Sequence, residues 1–151
     1  MGRAWWLETQ QPREHFFHGG FLGKDNISII DRNSDIPEGG WIAQADSAGW
    51  MAFFALNLLA MAVVLERDED ASYFLGVFRS IRESLQELWN HEEAYYFDEV
   101  HLPEGECIPL KIRSMVGLVP LIAGMVVDPA RLEKLPGVHQ RLAKATAEIA
   151  D

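Results

Sequence analysis

Cysteine is almost absent from this sequence of 151 residues, which contains Cys107 alone. One thiol cannot form an internal disulfide, and it has no partner thiol for a zinc site. The chain has five histidines: His15, His18, His91, His101 and His139. They show no metal-ligand spacing with one another or with Cys107, so the sequence predicts no metal ion and no other cofactor. A single cysteine fits a reducing compartment, and we expect the chain to be cytoplasmic.

Basic residues are also scarce. The chain has 13 Lys and Arg against 23 Asp and Glu, which gives a formal net charge of -10. An acidic surface repels phosphate backbones and anionic lipid headgroups, so we expect neither nucleic acid nor membrane as a partner. A neutral ligand such as a sugar meets no such repulsion. The first six residues lack a basic start followed by an apolar run, and they are not expected to act as a secretory signal.

The chain has enough apolar material for one core, at 48% hydrophobic residues, and no room for two full domains. Residues 1–45 are rich in turn formers such as Gly19-Gly20 and Gly39-Gly40, which predicts a loop-rich segment with at most a short strand near Ile27–Ile30. Residues 46–151 carry helical patterns. We therefore expect a single domain of mainly α class.

Residues 48–65 contain no charge and only one polar side chain, Asn57. The length would allow a transmembrane helix, but the flanks are acidic, with Asp46 before the run and Glu66 after it. We therefore predict a helix that is apolar all round and buried by protein on both sides. Residues 70–89 instead alternate apolar and charged positions at helical spacing, which predicts an amphipathic helix. An all-apolar helix followed by an amphipathic helix is the order expected for an inner and an outer layer of helices.

The second half of the chain predicts a hairpin and two more helices. Residues 90–109 show weak alternation around the turn signal Pro103-Glu104-Gly105, which favours a short β-hairpin. A mostly apolar helix is predicted to begin near the N-cap Ser114 and to run towards Val127. Pro120 should either kink this helix or mark its first turn. A last, modestly amphipathic helix is predicted from Pro136 or Gly137 to Ala150.

Two acidic clusters are candidates for chemistry. The first is a glycine-flanked loop that contains Asp25-Asn26 and, further on, Asp31-Arg32. The alternative is that these residues are turn formers that bond to their own backbone, as Asp beside Asn in a loop most often does. The second is Asp46 and Trp50, which lie four residues apart and so share one helical face. A carboxylate beside an indole can bind the hydroxyls and the apolar face of a pyranose, although Asp46 could also serve only as a helix cap.

Arg113 stands at the start of the helix predicted from Ser114, where a cation opposes the helix dipole. A specific acidic partner is therefore expected, either in a structural ion pair or from one of the acidic loop residues. The pairs Glu92-Glu93 and Asp98-Glu99 are predicted to be solvated turn residues.

In combination these segments resemble glycoside hydrolase family 63, and in particular its bacterial glucosidase-like members. The resemblance extends over residues 16–127. It rests on the following segments in order: Gly19-Gly20-Phe21-Leu22-Gly23, Asp25-Asn26, Asp31-Arg32, Gln44-Ala45-Asp46, Ala48-Gly49-Trp50-Met51-Ala52, Ile108-Pro109-Leu110 and Arg113-Ser114-Met115-Val116-Gly117-Leu118.

The resemblance implies an (α/α)6 toroid and the hydrolysis of α-glycosidic bonds with inversion. Inversion needs a general acid and a general base, with room for a water molecule between them. Asp25 best matches the family's acid, and Asp31 is the alternative because Arg32 follows it. The sugar-binding residues expected on this basis are Asn26, Arg32, Asp46, Trp50 and Arg113.

One departure from the family concerns the general base, which is a glutamate near the end of the barrel. No glutamate here stands in that context, and the chain has about four helices where the toroid has a dozen. Two hypotheses follow: a glycosidase fragment that is inactive alone, completed by another chain or self-associating through an exposed inner wall, or a non-catalytic carbohydrate-binding or scaffolding remnant. A membrane-anchored helix protein ranks last.

Overall fold

The computed structural model describes Arg32, Ile36 and residues 39–150, which are mainly helical with small antiparallel sheets. The predicted mainly α class is therefore confirmed. The helices are α1 (Ala45–Val64), α2 (Asp68–Glu87), a 3-10 helix (Met115–Ile122), α3 (Pro129–Leu132) and α4 (Pro136–Ala150). The strands are β1 (Trp41–Ala43), β2 (Trp89–Asn90), β3 (Tyr95–Tyr96), β4 (Asp98–His101) and β5 (Cys107–Leu110). The possible strand at Ile27–Ile30 lies outside the described residues.

Helices α1 and α2 form a helical hairpin joined by a tight turn. The amide of Arg67 donates to the carbonyl of Ala62 at 2.9 Å, and the amide of Glu66 donates to that of Val63 at 3.2 Å. These two bonds are the pattern of a Schellman motif, with Glu66 in the left-handed conformation at φ 53°. The turn sends the chain back along α1, so the apolar side of α2 packs on it through Leu75 and other residues.

Helix α1 is not buried on both sides, so that part of the sequence prediction was wrong. One face packs into the core through Met51, Ala55, Leu59 and neighbouring residues. The other face exposes large apolar side chains: Phe53, Phe54, Met61 and Val64. The 3-10 helix also exposes large apolar side chains: Met115, Leu118, Leu121 and Ile122.

By length and composition, α1 is also the one helix within the described residues that could cross a membrane. It is 20 residues long and strongly apolar, and slightly more than half of it is buried in the protein. Core helices of soluble proteins meet the same criterion, so this feature is weak support for a membrane span.

The 3-10 helix packs closely against the N-terminal half of α1. Ser114 caps it, as predicted, because its hydroxyl accepts a hydrogen bond from the amide of Val116 at 3.3 Å. The helix ends at Ile122 rather than near Val127 and contains Pro120, which has no amide hydrogen to donate. A Cβ on Gly49 would lie 2.8 Å from the Pro120 nitrogen, so the contact requires glycine in α1.

The predicted hairpin is present, and a third strand extends it. Strands β4 and β5 pair in antiparallel fashion around a turn in which Gly105 has φ +91°. Strand β1, which the sequence did not predict, pairs with the other edge of β4. In the strand order β1-β4-β5, residues 41–43 lie beside residues 98–101. Strand β1 ends immediately before α1 begins. Strands β2 and β3 form a separate two-stranded sheet.

Candidate functional site

A buried cluster of ionised side chains lies at the N-terminal end of α1. The guanidinium of Arg32 bridges two carboxylates. It donates to both carboxylate oxygens of Asp46, with Nη1 3.2 Å from Oδ2. Its Nε lies 2.6 Å from Oδ2 of Asp98 on β4. Relative exposure is 8% for Arg32, 0% for Asp46 and 8% for Asp98, so the ions are almost entirely removed from water.

Neutral groups complete the cluster. The side-chain amide of Gln44 donates to the backbone carbonyl of Arg32 at 2.9 Å, and its oxygen accepts from the hydroxyl of Ser47 at 2.9 Å. The second oxygen of Asp98 accepts from the amide of Ala45, the first residue of α1, at 2.9 Å. That amide belongs to the first turn of α1 and has no partner within the helix. The cluster therefore joins the Arg32 segment, the start of α1 and strand β4.

Two carboxylates share one guanidinium, so the ionised cluster carries a net charge of -1. Burial raises the pKa of Asp98, and the Asp46 charge adds to this effect, while Arg32 and the Ala45 amide act in the opposite direction. Burial alone would lower the pKa of Arg32, but the two carboxylates raise it overall. Arg32 is thus held as a cation, and the raised pKa of Asp98 makes its carboxyl group easier to protonate than an ordinary aspartate.

A small cavity adjoins the Asp98 side of the cluster. Its volume is about 10 Å³, and it is lined by Arg32, Asp98, Tyr96, Ser114, Gly117 and apolar neighbours. This is space for about one water molecule and not for a sugar ring. Two larger cavities, of about 370 and 260 Å³, are lined mostly by apolar residues and share Leu75, Phe78, Ala123 and Leu142. Neither of these contains a residue of the buried cluster.

The structure describes only some of the predicted site residues. Asp25, Asn26 and Asp31 lie outside the described residues. Arg32 and Asp46, both predicted to bind sugar, lie together and satisfy each other, and Asp46 is fully buried. Trp50 is partly buried on α1 one turn further along, with its ring against Phe53 at 6.2 Å between centroids.

Arg113 has the acidic partner that the sequence predicted, and it belongs to a structural ion pair. Its guanidinium lies 2.6 Å from the carboxylate of Glu93 and donates to the Glu93 carbonyl at 3.0 Å. It also stacks over the ring of Tyr95, 5.3 Å from the centroid. Glu93, predicted to be a solvated turn residue, is thus paired, and the Arg113 hydrogen bond lowers its pKa. These contacts brace the 91–95 turn against the segment before the 3-10 helix.

Asp98 corrects a second prediction. It was expected to be a solvated turn residue beside Glu99, but it lies in β4 with its side chain buried against Arg32. Sequence reasoning missed it because Arg32 and Asp98 are 66 positions apart and meet only in the folded chain. The signal that could have found it was the weak alternation of Tyr95 with Phe97 and of Val100 with Leu102, which favours strand for the residues between them.

One group within the described residues has the side chains of a metal site: Glu99, His101 and Cys107. Each offers a ligand atom within 4.8 Å of the others. The antiparallel register places His101 directly opposite Cys107. The prediction of no metal ion relied on the spacing of ligand residues along the sequence. That spacing does not reveal residues that become neighbours across a β-hairpin.

Comparison with known proteins gives one informative relative. The chain is 35% identical, over an alignment of 163 positions, to a Saccharomyces cerevisiae protein described as Uncharacterized protein YMR196W. The alignment includes 92% of this chain but only 15% of that relative. No family model matches the chain, and no solved structure matches it. The chain thus matches a small part of a much longer protein, whose description states no activity.

Proposed function

We propose that this chain is the segment of an inverting α-glycosidase that contains the general acid. The enzyme would have a helical barrel and be similar to glycoside hydrolase family 63. In this proposal the substrate is an α-glucoside of an oligosaccharide or a glucosyl conjugate. Asp25 is the general acid, with Asp31 as the alternative, and the general base belongs to a part of the barrel that this chain does not supply. The partial (α/α)6 toroid is part of the same proposal.

The observation that carries the proposal is the Arg32 bridge. Arg32 immediately follows Asp31, and its side chain is fixed between Asp46 at the start of α1 and Asp98 on β4. A general acid must be held within hydrogen-bond reach of the leaving oxygen. Anchoring the residue next to the acid loop on a rigid helix and strand serves that need. Arg32 and Asp46 then act as positioning residues, and direct sugar contact falls to Trp50, Asn26 and the acid itself.

The uncovered apolar face gives a second line of support. An inner-wall helix of a barrel is surrounded by further helices, and α1 exposes Phe53, Phe54 and Met61 on the face away from α2. The yeast relative is several times longer than this chain, so its remaining residues are long enough to cover such a face. The complementing partner in this proposal is more barrel sequence, in the same polypeptide or in a second chain.

The isolated chain is expected to be inactive. Purified protein incubated with nitrophenyl α-glucoside and with glucosyl disaccharides should release no glucose above background, since the base is missing. Inverting turnover by the isolated chain would contradict the proposal that this chain supplies the general acid while another part of the barrel supplies the general base.

The acid is tested in a completed barrel. In a chimera that carries this chain in place of the matching segment of the yeast relative, Asp25→Asn should remove most of the hydrolysis. Asp128→Asn, an exposed helix cap, is the matched control. Loss with Asp31→Asn and not with Asp25→Asn would make Asp31 the acid.

A second candidate function is favoured by the full burial of Asp46, which is occupied by Arg32 and not open to a ligand. In that case the cluster is structural and the segment is a non-catalytic carbohydrate-binding or scaffolding remnant. A chimera that folds and binds sugar, but in which neither loop aspartate affects turnover, would favour this alternative.

A further inference from the structure

We propose that Cys107 and His101 form a binding site for a thiophilic divalent metal ion of the Zn²⁺ type, with Glu99 orienting the imidazole. The site lies on the β4–β5 hairpin, apart from the Arg32 cluster, and goes beyond the proposed glycosidase role.

The distance between the two donor atoms suits one shared ion. Sγ of Cys107 lies 3.3 Å from Nδ1 of His101. Zinc binds sulfur at about 2.3 Å and nitrogen at about 2.0–2.1 Å in tetrahedral geometry, which separates the two ligand atoms by roughly 3.5 Å. The side chains therefore need to move apart by only a few tenths of an ångström to admit the ion.

The other nitrogen of the ring lies beside a carboxylate, the type of group that orients metal-bound histidines, at ion-pair distance but without a formed hydrogen bond to it. Nε2 of His101 lies 3.2 Å from a carboxylate oxygen of Glu99. A carboxylate that accepts the second N–H fixes the tautomer, leaves Nδ1 as the donor to the metal and raises its basicity. Glu99 is two residues before His101 on β4, so both side chains lie on one face of the sheet.

Packing holds the imidazole in this orientation. Trp41 on β1 stacks on the His101 ring, with centroids 4.1 Å apart and planes 14° apart. His101 is buried, whereas Cys107 is exposed on β5 at the sheet edge. One rigid nitrogen ligand and one accessible thiolate leave coordination positions open to water or to an added ligand. An ion held in this way can be loaded and exchanged from solvent.

Spectroscopic titration with Co²⁺ tests the site directly on the intact chain. The wild type should develop a thiolate-to-cobalt charge-transfer band in the near ultraviolet that saturates at one equivalent. Added Zn²⁺, which favours the same tetrahedral thiolate geometry, should abolish the band. Cys107→Ser should show no band, and His139→Asn, which alters an exposed histidine of α4, should behave as the wild type.

Glu99→Gln separates the orienting carboxylate from the ligands. This variant should keep the band but bind about 10- to 100-fold more weakly, the usual effect of removing such a partner. Absence of the band in the wild type, or its persistence in Cys107→Ser, would overturn the proposal and leave the contact between Cys107 and His101 as a hydrogen bond only. Unchanged affinity in Glu99→Gln would overturn the role of that residue.

Discussion

At the scale of single residues, Arg32 holds together parts of the chain that are distant in sequence. Its guanidinium bridges Asp46 and Asp98, and its backbone carbonyl accepts from Gln44. None of these contacts follows from local sequence pattern, because their geometry depends on long-range pairing. The resemblance singled out Arg32 and Asp46 as functional, but their mutual contact, and the participation of Asp98, required the fold.

Replacing Arg32 should be costly. Arg32→Met leaves two buried carboxylates without a cation, and we expect the free energy of unfolding to fall by about 3–5 kcal/mol. Urea denaturation followed by circular dichroism measures the loss. The control is Arg67→Met, which breaks an exposed ion pair with Asp70 and should cost less than about 1 kcal/mol. Equal effects of the two substitutions would contradict the buried role of Arg32.

Asp98 should give the stability of the chain a distinctive pH dependence. Its pKa in the folded state is raised above that in the unfolded chain. Its contribution to stability is therefore fully present below the ordinary Asp pKa of about 3.9, and it is lost as the pH rises through the raised folded-state pKa.

In Asp98→Asn this dependence is removed. The free energy of unfolding of the variant, measured relative to wild type, should therefore increase as the pH is raised from acid to neutral. Urea unfolding at several pH values measures it. Glu106→Gln, at the exposed hairpin turn, is the matched control for removing a carboxylate from the surface. A relative stability that decreases with rising pH would contradict the burial effect on Asp98.

At the scale of elements, the sequence pattern predicted the helices well. The predicted ranges 48–65 and 70–89 differ from α1 and α2 by at most three residues at either end. The first range followed from the length of an uncharged apolar run, and the second from apolar and charged positions at the helical period. The helix predicted from Ser114 is instead a shorter 3-10 helix that includes Pro120. Strand β1 was missed, since three residues are too few to show alternation and its pairing partner is far along the chain.

Two glycines in helices should respond oppositely to alanine. A Cβ on Gly76 in α2 would meet no other part of the molecule within 4 Å, so Gly76→Ala should stabilise the protein by about 1 kcal/mol through helix propensity. Gly49 in α1 meets the backbone of Pro120 and Val119, so Gly49→Ala should destabilise it by about 1–3 kcal/mol. Thermal unfolding of both variants measures the two effects, and a stabilising Gly49→Ala would contradict the close packing of the 3-10 helix.

At the scale of the whole molecule, the exposed apolar surface was expected from the hypothesis of an uncovered inner wall but not from the pattern of α1 itself. The pattern of α1 indicated burial on both sides, but a sequence does not show whether a second layer is present to cover the far face. The mainly α class followed from composition and period. The (α/α)6 toroid remains a proposal, because it depends on packing partners beyond the described residues.

The exposed face should cause self-association of the isolated chain. We expect oligomers in light scattering at micromolar concentration, because contiguous apolar surface that water must solvate favours contact with a second copy. Phe54→Glu together with Met61→Glu should shift the protein towards monomer, whereas Glu69→Gln on α2 should not. A clean monomer of the wild-type chain would contradict this expectation.

The most direct test of the central claim is the configuration of the sugar released by the completed barrel. The chimera described above is supplied with an α-glucoside, and the first-formed anomer is followed by proton NMR before mutarotation. Inverting hydrolysis should release β-glucose, and Asp25→Asn should abolish the signal while the Asp128→Asn control retains it. Release of α-glucose, or an undiminished rate in both Asp25→Asn and Asp31→Asn, would contradict the assignment of this segment as the acid half of an inverting glycosidase.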